Sequence, residues 1–529
     1  MKPVKLLAIC LVALAACLSF TLKKDGPDPI KIETGLISGI KSKTLDVMDY
    51  KGIPFAQPPV GPLRWKAPQP AKPWTGVREC TAFGNDPYQP APHAVSMWSE
   101  EFFIPKESVR SEDCLYLNVW TPAKPAKEKL PVIVWIYGGG FNSGGTDDPI
   151  YDGEATANKG VIFVSANYRV GIFGSFAHPA LSKESGYGAS GNYGLLDQIA
   201  ALKWVQKNIA AFGGDPNNVT IDGQSAGSMS INCLIASPLC RGLFKKAIAE
   251  SGGYMVSAAR AMSTLQEAEA QGAKTATTLK AATIADLRKM SSEDVQREMR
   301  GNFAPIVDGY VLPETIPGIF FKARQNKVTL LTGWNENEGM LQGTLKKADE
   351  FKQQSTEKYG ANAPTFFSYY PANTEDEATA SQYKLSKDMM FGIQNYSLAN
   401  VESQQSGAKV FVYRFTHKVP GTGIYEKLGA FHSGEIAYNF NNLQYINRPW
   451  QPIDHELANT LSSYWVNFVV TGDPNGKGLP KWPAYTTIEN KIMILGDKPE
   501  AKEMPDKAAL DLVINTLKNT IVAVPPVVK

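Results

Sequence analysis

The sequence predicts an α/β protein in which a large, mostly parallel sheet is flanked by helices. Two continuous apolar runs, Val132-Ile133-Val134-Trp135-Ile136 and Val161-Ile162-Phe163-Val164, read as strands covered on both faces. Leu195, Ile199, Leu202, Val205 and Ile209 then recur at helical spacing, so strand and helix alternate as in a doubly wound sheet. Finally the β-branched run Val219-Thr220-Ile221 leads into Gly223-Gln224-Ser225-Ala226-Gly227 and a helical stretch from about Ser228 to Ala236.

Composition narrows the function classes. With 529 residues, 43% hydrophobic and 20% charged, the chain has the balance of an ordinary globular protein. A net charge of +3, spread without long runs, leaves no footprint for nucleic acid or a membrane surface. No repeat period, phosphate loop or zinc-type cysteine spacing stands out, so neither a metal nor an organic cofactor is expected.

Residues 1–22 differ from the rest. Lys2 and Lys5 precede an apolar run from Leu6 to about Leu22, the layout of a secretory leader. Leu14-Ala15-Ala16-Cys17 has the form of a lipobox, in which Cys17 would be lipidated; ordinary cleavage and an uncleaved anchor are the other two readings. All three export the protein, periplasmic or secreted, with membrane attachment only through this N-terminus. Residues 30–525 read as a single domain.

Ile30 to Ile40 reads as short strands turning at Gly35 and Gly39. Pro58-Pro59-Val60-Gly61-Pro62 excludes helix and central strand, so an ordered loop is expected there, with Arg64 in a structural ion pair. Cys80 and Cys114 bracket a stretch of little periodicity. In an exported protein they can staple it, although spacing alone leaves the pairing open. Cys233 and Cys240 read as buried thiols. Leu115 to Trp120 alternates as a half-exposed strand, and Lys246 to Glu250 is a further strand. Helical excursions follow at about 258–299 and 348–405, placed to form a wall or lid over a site. Thr283-Ile284-Ala285-Asp286 and Ser291-Ser292-Glu293-Asp294 mark helix starts in the first of them. Strands resume at Val328 to Thr332 and at Val410 to Phe415.

The chemistry gathers at strand ends. Strand, Gly-x-Ser-x-Gly and helix make a nucleophile elbow, a turn so tight that only glycine fits on either side of the exposed Ser225. Tyr137-Gly138-Gly139-Gly140-Phe141 follows a buried strand upstream, where converging backbone N–H groups would form an oxyanion hole. Of five histidines, His93 and His178 come too early, His417 directly ends a strand and His455 begins a helix. His432 lies in a Gly/Ser-flanked loop after the last long strand, as the chain order nucleophile, acid, base requires. Glu336 and Glu338 both follow the Val328–Thr332 strand, and spacing does not separate them.

With these pieces in place the chain resembles the type-B carboxylesterases, the cholinesterase-like branch of the α/β-hydrolase fold, and their bacterial para-nitrobenzyl-esterase-like members. The likeness runs from about Ile32 to Tyr485. It rests on Phe212-Gly213-Gly214 through Gly227, on Ser111-Glu112-Asp113-Cys114-Leu115-Tyr116-Leu117-Asn118, on Asn335-x-x-Glu338-Gly339 and on Gly429 to Ile436. The resemblance implies a Ser225–His432–Glu338 triad and an oxyanion hole from Gly139, Gly140 and Ala226. It also implies a disulfide between Cys80 and Cys114, and hydrolysis of neutral small-molecule or carbohydrate-linked esters through an acyl-enzyme. Two departures stand out. Gln224 replaces the glutamate that cholinesterases carry beside the nucleophile, which argues against choline esters. Asp222 stands where an apolar or aromatic residue is usual, and an ion pair is one expectation for it. The rival reading is a catalytically silent binding or adhesion protein; such proteins usually lack a triad member, and here all three are present.

Overall fold

The structure is a computed structural model that describes residues 28–94, 97–122, 128–257, 259, 261–298, 303–341, 344–405 and 407–520. The leader with Cys10 and Cys17, the linker before Asp28 and the last nine positions lie outside the described residues.

An 11-stranded sheet forms the frame. Its strands are β1 (Ile40–Lys41), β2 (Met48–Pro54), β3 (Tyr116–Thr121), β4 (Leu130–Ile136), β5 (Ile162–Ala166) and β6 (Gly214–Gln224). They continue as β7 (Lys246–Glu250), β8 (Thr329–Asn335), β9 (Val410–Phe415), β10 (Lys491–Leu495) and β11 (Glu500–Glu503). In space the order is β11-β10-β9-β8-β7-β6-β4-β5-β3-β2-β1. Pairing is parallel from β10 through to β5 and antiparallel at both ends. The order reverses at β4, β5 and β6, so the carboxyl ends of β4 and β6 flank a switch point, where open α/β sheets gather their sites.

The apolar runs Val132–Ile136 of β4 and Ile162–Val164 of β5 are buried throughout, as strands covered on both faces require. The helix α1 (Tyr193–Asn208) was expected to be amphipathic but is buried on most of its circumference, because it packs between β6 and neighbouring helices, α2 (Ala226–Ala236) among them. The helix α2 follows the elbow and is buried at every position.

The first helical excursion contains α3 (Leu265–Thr278), α4 (Ile284–Lys289) and α5 (Ser292–Glu298), with a capping box at Thr283 and Asp286. The second contains α6 (Ala348–Tyr359), α7 (Ala363–Tyr369), α8 (Glu375–Lys387) and α9 (Ile393–Gln405). Toward the end come α10 (Ile436–Asn439), α11 (Pro452–Thr471) and α12 (Lys507–Thr520). Strand β2 has no clear sequence signal; its pairing with β3 shifts register between Tyr50 and Ile53, beside Gly52. Arg64 is structural, as expected: its Nε donates to Glu112 at 2.7 Å, and its Nη1 reaches the carbonyls of Leu287 and Met290.

The expected disulfide is corrected. Cys80 and Cys114 are not bonded to each other; both are free thiols buried in the core, as are Cys233 and Cys240. Different charged groups act on them: Arg78 on Cys80, and Asp197 and Arg169 on Cys114. The stretch between them is held without a staple, by Lys51 N–H to the Cys80 carbonyl and by the buried Arg64–Glu112 pair.

Candidate active site

The elbow is built by contact between backbones. A Cβ on Gly223 would stand 2.7 Å from the Gly227 carbonyl carbon, and one on Gly227 only 2.0 Å from the Ile136 oxygen. Side chains are therefore excluded on both flanks. Ser225 itself has φ 57° and ψ −120°, an uncommon conformation for a residue with a side chain. Its N–H donates to the Glu250 carbonyl at 2.9 Å, which fixes the turn to the neighbouring strand β7.

The loops after β6, β8 and β9 converge here. His432 Nε2 accepts from Ser225 Oγ at 2.8 Å, and His432 Nδ1–H donates to Glu338 Oε2 at 2.8 Å. Glu338 is fully buried, and its other oxygen accepts the Asn335 N–H at 2.9 Å. Asn335 Nδ2 in turn donates to the Phe431 carbonyl at 2.8 Å, tying the acid loop to the histidine loop. Glu336 lies only two positions away, but it is 43% exposed and pairs with Arg414 at 3.1 Å. Register explains the difference. Asn335 ends β8, and the turn beyond it sends Glu336 outward and Glu338 back under His432.

Gly139 and Gly140 are exposed and line one cavity together with Ser225 and His432. Gly139 needs to be glycine, since its φ is 109° and a Cβ would meet the Ser143 carbonyl oxygen at 2.2 Å. Ala226 opens α2 directly after Ser225, so its N–H belongs to the unpaired first turn of that helix. Gly139, Gly140 and Ser225 border one space.

That space is a cavity of about 460 Å³ whose walls include Trp98, Phe102, Phe103, Ile104, Tyr151 and Met340. Among the described residues its lining contains no lysine or arginine. Trp98 donates its indole N–H to the His432 carbonyl at 2.9 Å. Behind the imidazole, Phe391 stacks at 4.4 Å between ring centroids, with the planes 21° apart. It is carried by one turn of π-helix, Asp388–Gly392, inserted between α8 and α9. No sequence signal pointed to Phe391, because a π-turn leaves no periodic mark.

The other histidines are structural or peripheral. His417 sits between Asp454 and Asp497, His178 accepts from Ala180 N–H at a helix start, and His93 lines the cavity mouth. Among the described residues Asp222 has no ion-pair partner, contrary to the expectation of one. Its neighbour is a second buried carboxyl, Glu250.

Residues 27–513 match the family model described as Carboxylesterase family. The chain belongs to the carboxylesterase family. Fumonisin B1 esterase of Sphingopyxis macrogoltabida is 37% identical over 92% of this chain and 89% of its own length. Para-nitrobenzyl esterase of Bacillus subtilis (strain 168) is 36% identical over 87% and 93%. A solved PNB esterase structure superposes with a TM-score of 0.78 at 32% identity, covering 92% of this chain and 99% of that one. This carboxylesterase is thus a carboxylic ester hydrolase on an α/β-hydrolase fold.

Proposed function

We propose that this carboxylesterase cleaves neutral esters by two-step acyl transfer on Ser225. The observation that carries the reading is the unbroken relay of Ser225, His432 and Glu338 opening into an apolar cavity. Ser225 Oγ attacks the ester carbonyl carbon while His432 Nε2 takes the hydroxyl proton. The N–H groups of Gly139, Gly140 and Ala226 hold the resulting oxyanion, each such donor being worth roughly 3 kcal/mol of barrier. His432 passes the proton to the leaving alcohol as the C–O bond breaks, which leaves Ser225 acylated. Water then repeats the sequence and releases the acid. Glu338 keeps the proton on Nδ1 and stabilises the imidazolium that forms.

A mostly apolar wall, with Asp148 its only carboxyl and no lysine or arginine among the described lining residues, favours uncharged over anionic acyl groups. The relatives' names, for fumonisin B1 and for para-nitrobenzyl esters, are in keeping with an ester-bearing small molecule. Residues 30–525 are proposed to act as one domain, exported through the N-terminal leader. The test is hydrolysis of a series of p-nitrophenyl esters together with acetylated and feruloylated sugars. Ser225→Ala should abolish turnover, and a sulfonyl fluoride should add at Ser225. Wild-type rates in the alanine variant would remove Ser225 from the mechanism.

A further inference from the structure

Beneath the elbow, two acids meet where the sheet offers no counter-charge. Asp222 and Gln224 project from the same face of β6, and Glu250 stands opposite Gln224 in the parallel register of β7. Asp222 and Glu250 therefore share that face as neighbouring carboxyls, and both are buried. The partners of Glu250 are neutral donors: Asn439 Nδ2 to Oε2 at 2.7 Å and Trp465 Nε1 to Oε1 at 3.0 Å. Neither oxygen of Asp222 has a hydrogen-bond donor among the described residues. Among the described residues, the titratable groups that act on the pair are Glu435, from the loop after His432, and Tyr413 from β9. No cation is among them. Two adjacent carboxylates in such a place would repel at low dielectric, whereas one proton between them makes an O–H···O bond.

The pair is joined to the reacting groups on both sides. The Glu250 backbone carbonyl accepts the Ser225 N–H at 2.9 Å, and its side chain holds Asn439, the last residue of the short helix that follows His432. We infer that Asp222 and Glu250 are a proton-sharing pair of positioning residues that braces the nucleophile elbow and sets an alkaline limit to turnover. Loss of the last shared proton puts two negative charges side by side, and the movement that separates them draws the Glu250 carbonyl away from Ser225. Burial, the largest cause, pushes Asp222 up to about 8 and Glu250 well above the usual carboxylate range. With folded values raised, the pair's contribution to stability is fully present below the ordinary carboxylate range. It is lost as pH rises through the raised folded values.

The inference rests on Ser225 being the nucleophile, and the test separates the two. An imidazole base by itself gives an acid limb only, so a reversible alkaline limb is diagnostic. The measurements are kcat for a neutral p-nitrophenyl ester and the melting temperature, both against pH, for wild type, Asp222→Asn and Glu250→Gln. Wild-type kcat should fall about fivefold or more between about pH 7.5 and 9.5, while either isostere holds within about twofold. The variants should also melt above wild type at the alkaline end. Absence of the wild-type fall, or the same fall in both variants, would overturn the inference. Should the variants not fold, infrared spectra of the wild type decide. A buried carboxylic-acid band must persist at neutral pH and vanish together with kcat, and its absence is fatal to the idea. Failure of the nucleophile assignment would instead appear as turnover by Ser225→Ala, which does not depend on the pair.

Discussion

Phe391 lies nearly flat against the imidazole of His432, with ring centroids 4.4 Å apart and planes at 21°. The contact places an apolar plate on one face of the base and leaves its two nitrogens to Ser225 and Glu338. The plate is held in turn by the π-turn, whose first residue, Asp388, takes Tyr370 Oη at 2.7 Å and Lys384 Nζ at 3.0 Å. π-turns inside longer helices frequently mark functional positions.

Phe391→Leu should therefore loosen the imidazole without touching its hydrogen-bond partners. The expected result is a fall in kcat of roughly tenfold with KM little changed, which corresponds to an interaction made mainly in the transition state. Steady-state kinetics on one short p-nitrophenyl ester suffices. A rise in KM alone would make Phe391 a wall of the pocket instead.

The two acids after β8 should behave oppositely. Glu338→Gln removes the charge partner of His432 and leaves its tautomer unguided, so turnover should drop by several orders of magnitude, about 10⁴-fold. Glu336→Gln touches only the partly exposed contact with Arg414 and should cost about twofold or less. Melting curves must first show that both variants are folded. A crippled Glu336→Gln beside a near-normal Glu338→Gln would reverse the assignment.

The thiols offer a check on the core. Burial pushes Cys80 up to about 11 and Cys240 up to about 12, and raises Cys114 and Cys233 as well. All four should resist alkylation in the native protein, because thiol rather than thiolate is present and access is blocked. Unfolded without reductant, all four should label. Protection of Cys80 and Cys114 under those conditions would reveal a bond between them.

Choline esters should be poor substrates. Gln224 Nε2 lies 3.4 Å from both nitrogens of His432, and Gln224 Oε1 accepts from Ser433, so a neutral amide fills the place beside the nucleophile. Trp98 does present an aromatic face to the cavity that could receive a cation. A kcat/KM for butyrylcholine above that for an uncharged butyrate of similar reactivity would show that this face outweighs the missing carboxylate.

What the sequence by itself determined was local and periodic. Buried strands announce themselves by unbroken apolar runs, and the elbow by a strand, two glycines and a helix, so Ser225 was legible before any fold was known. His432 followed from chain order and from the small number of histidines. Glu338 was separated from Glu336 only by resemblance, and the physical ground, burial of one and exposure of the other, belongs to the turn beyond Asn335. Tertiary structure alone decided the rest. Phe391 reaches His432 across 41 positions of chain, and the Asp222–Glu250 contact depends on which strand lies beside β6. Cys80 and Cys114 are free thiols, and their spacing along the chain had left the pairing open. Such contacts arise when the sheet sets strands distant in sequence side by side, and no local pattern encodes that.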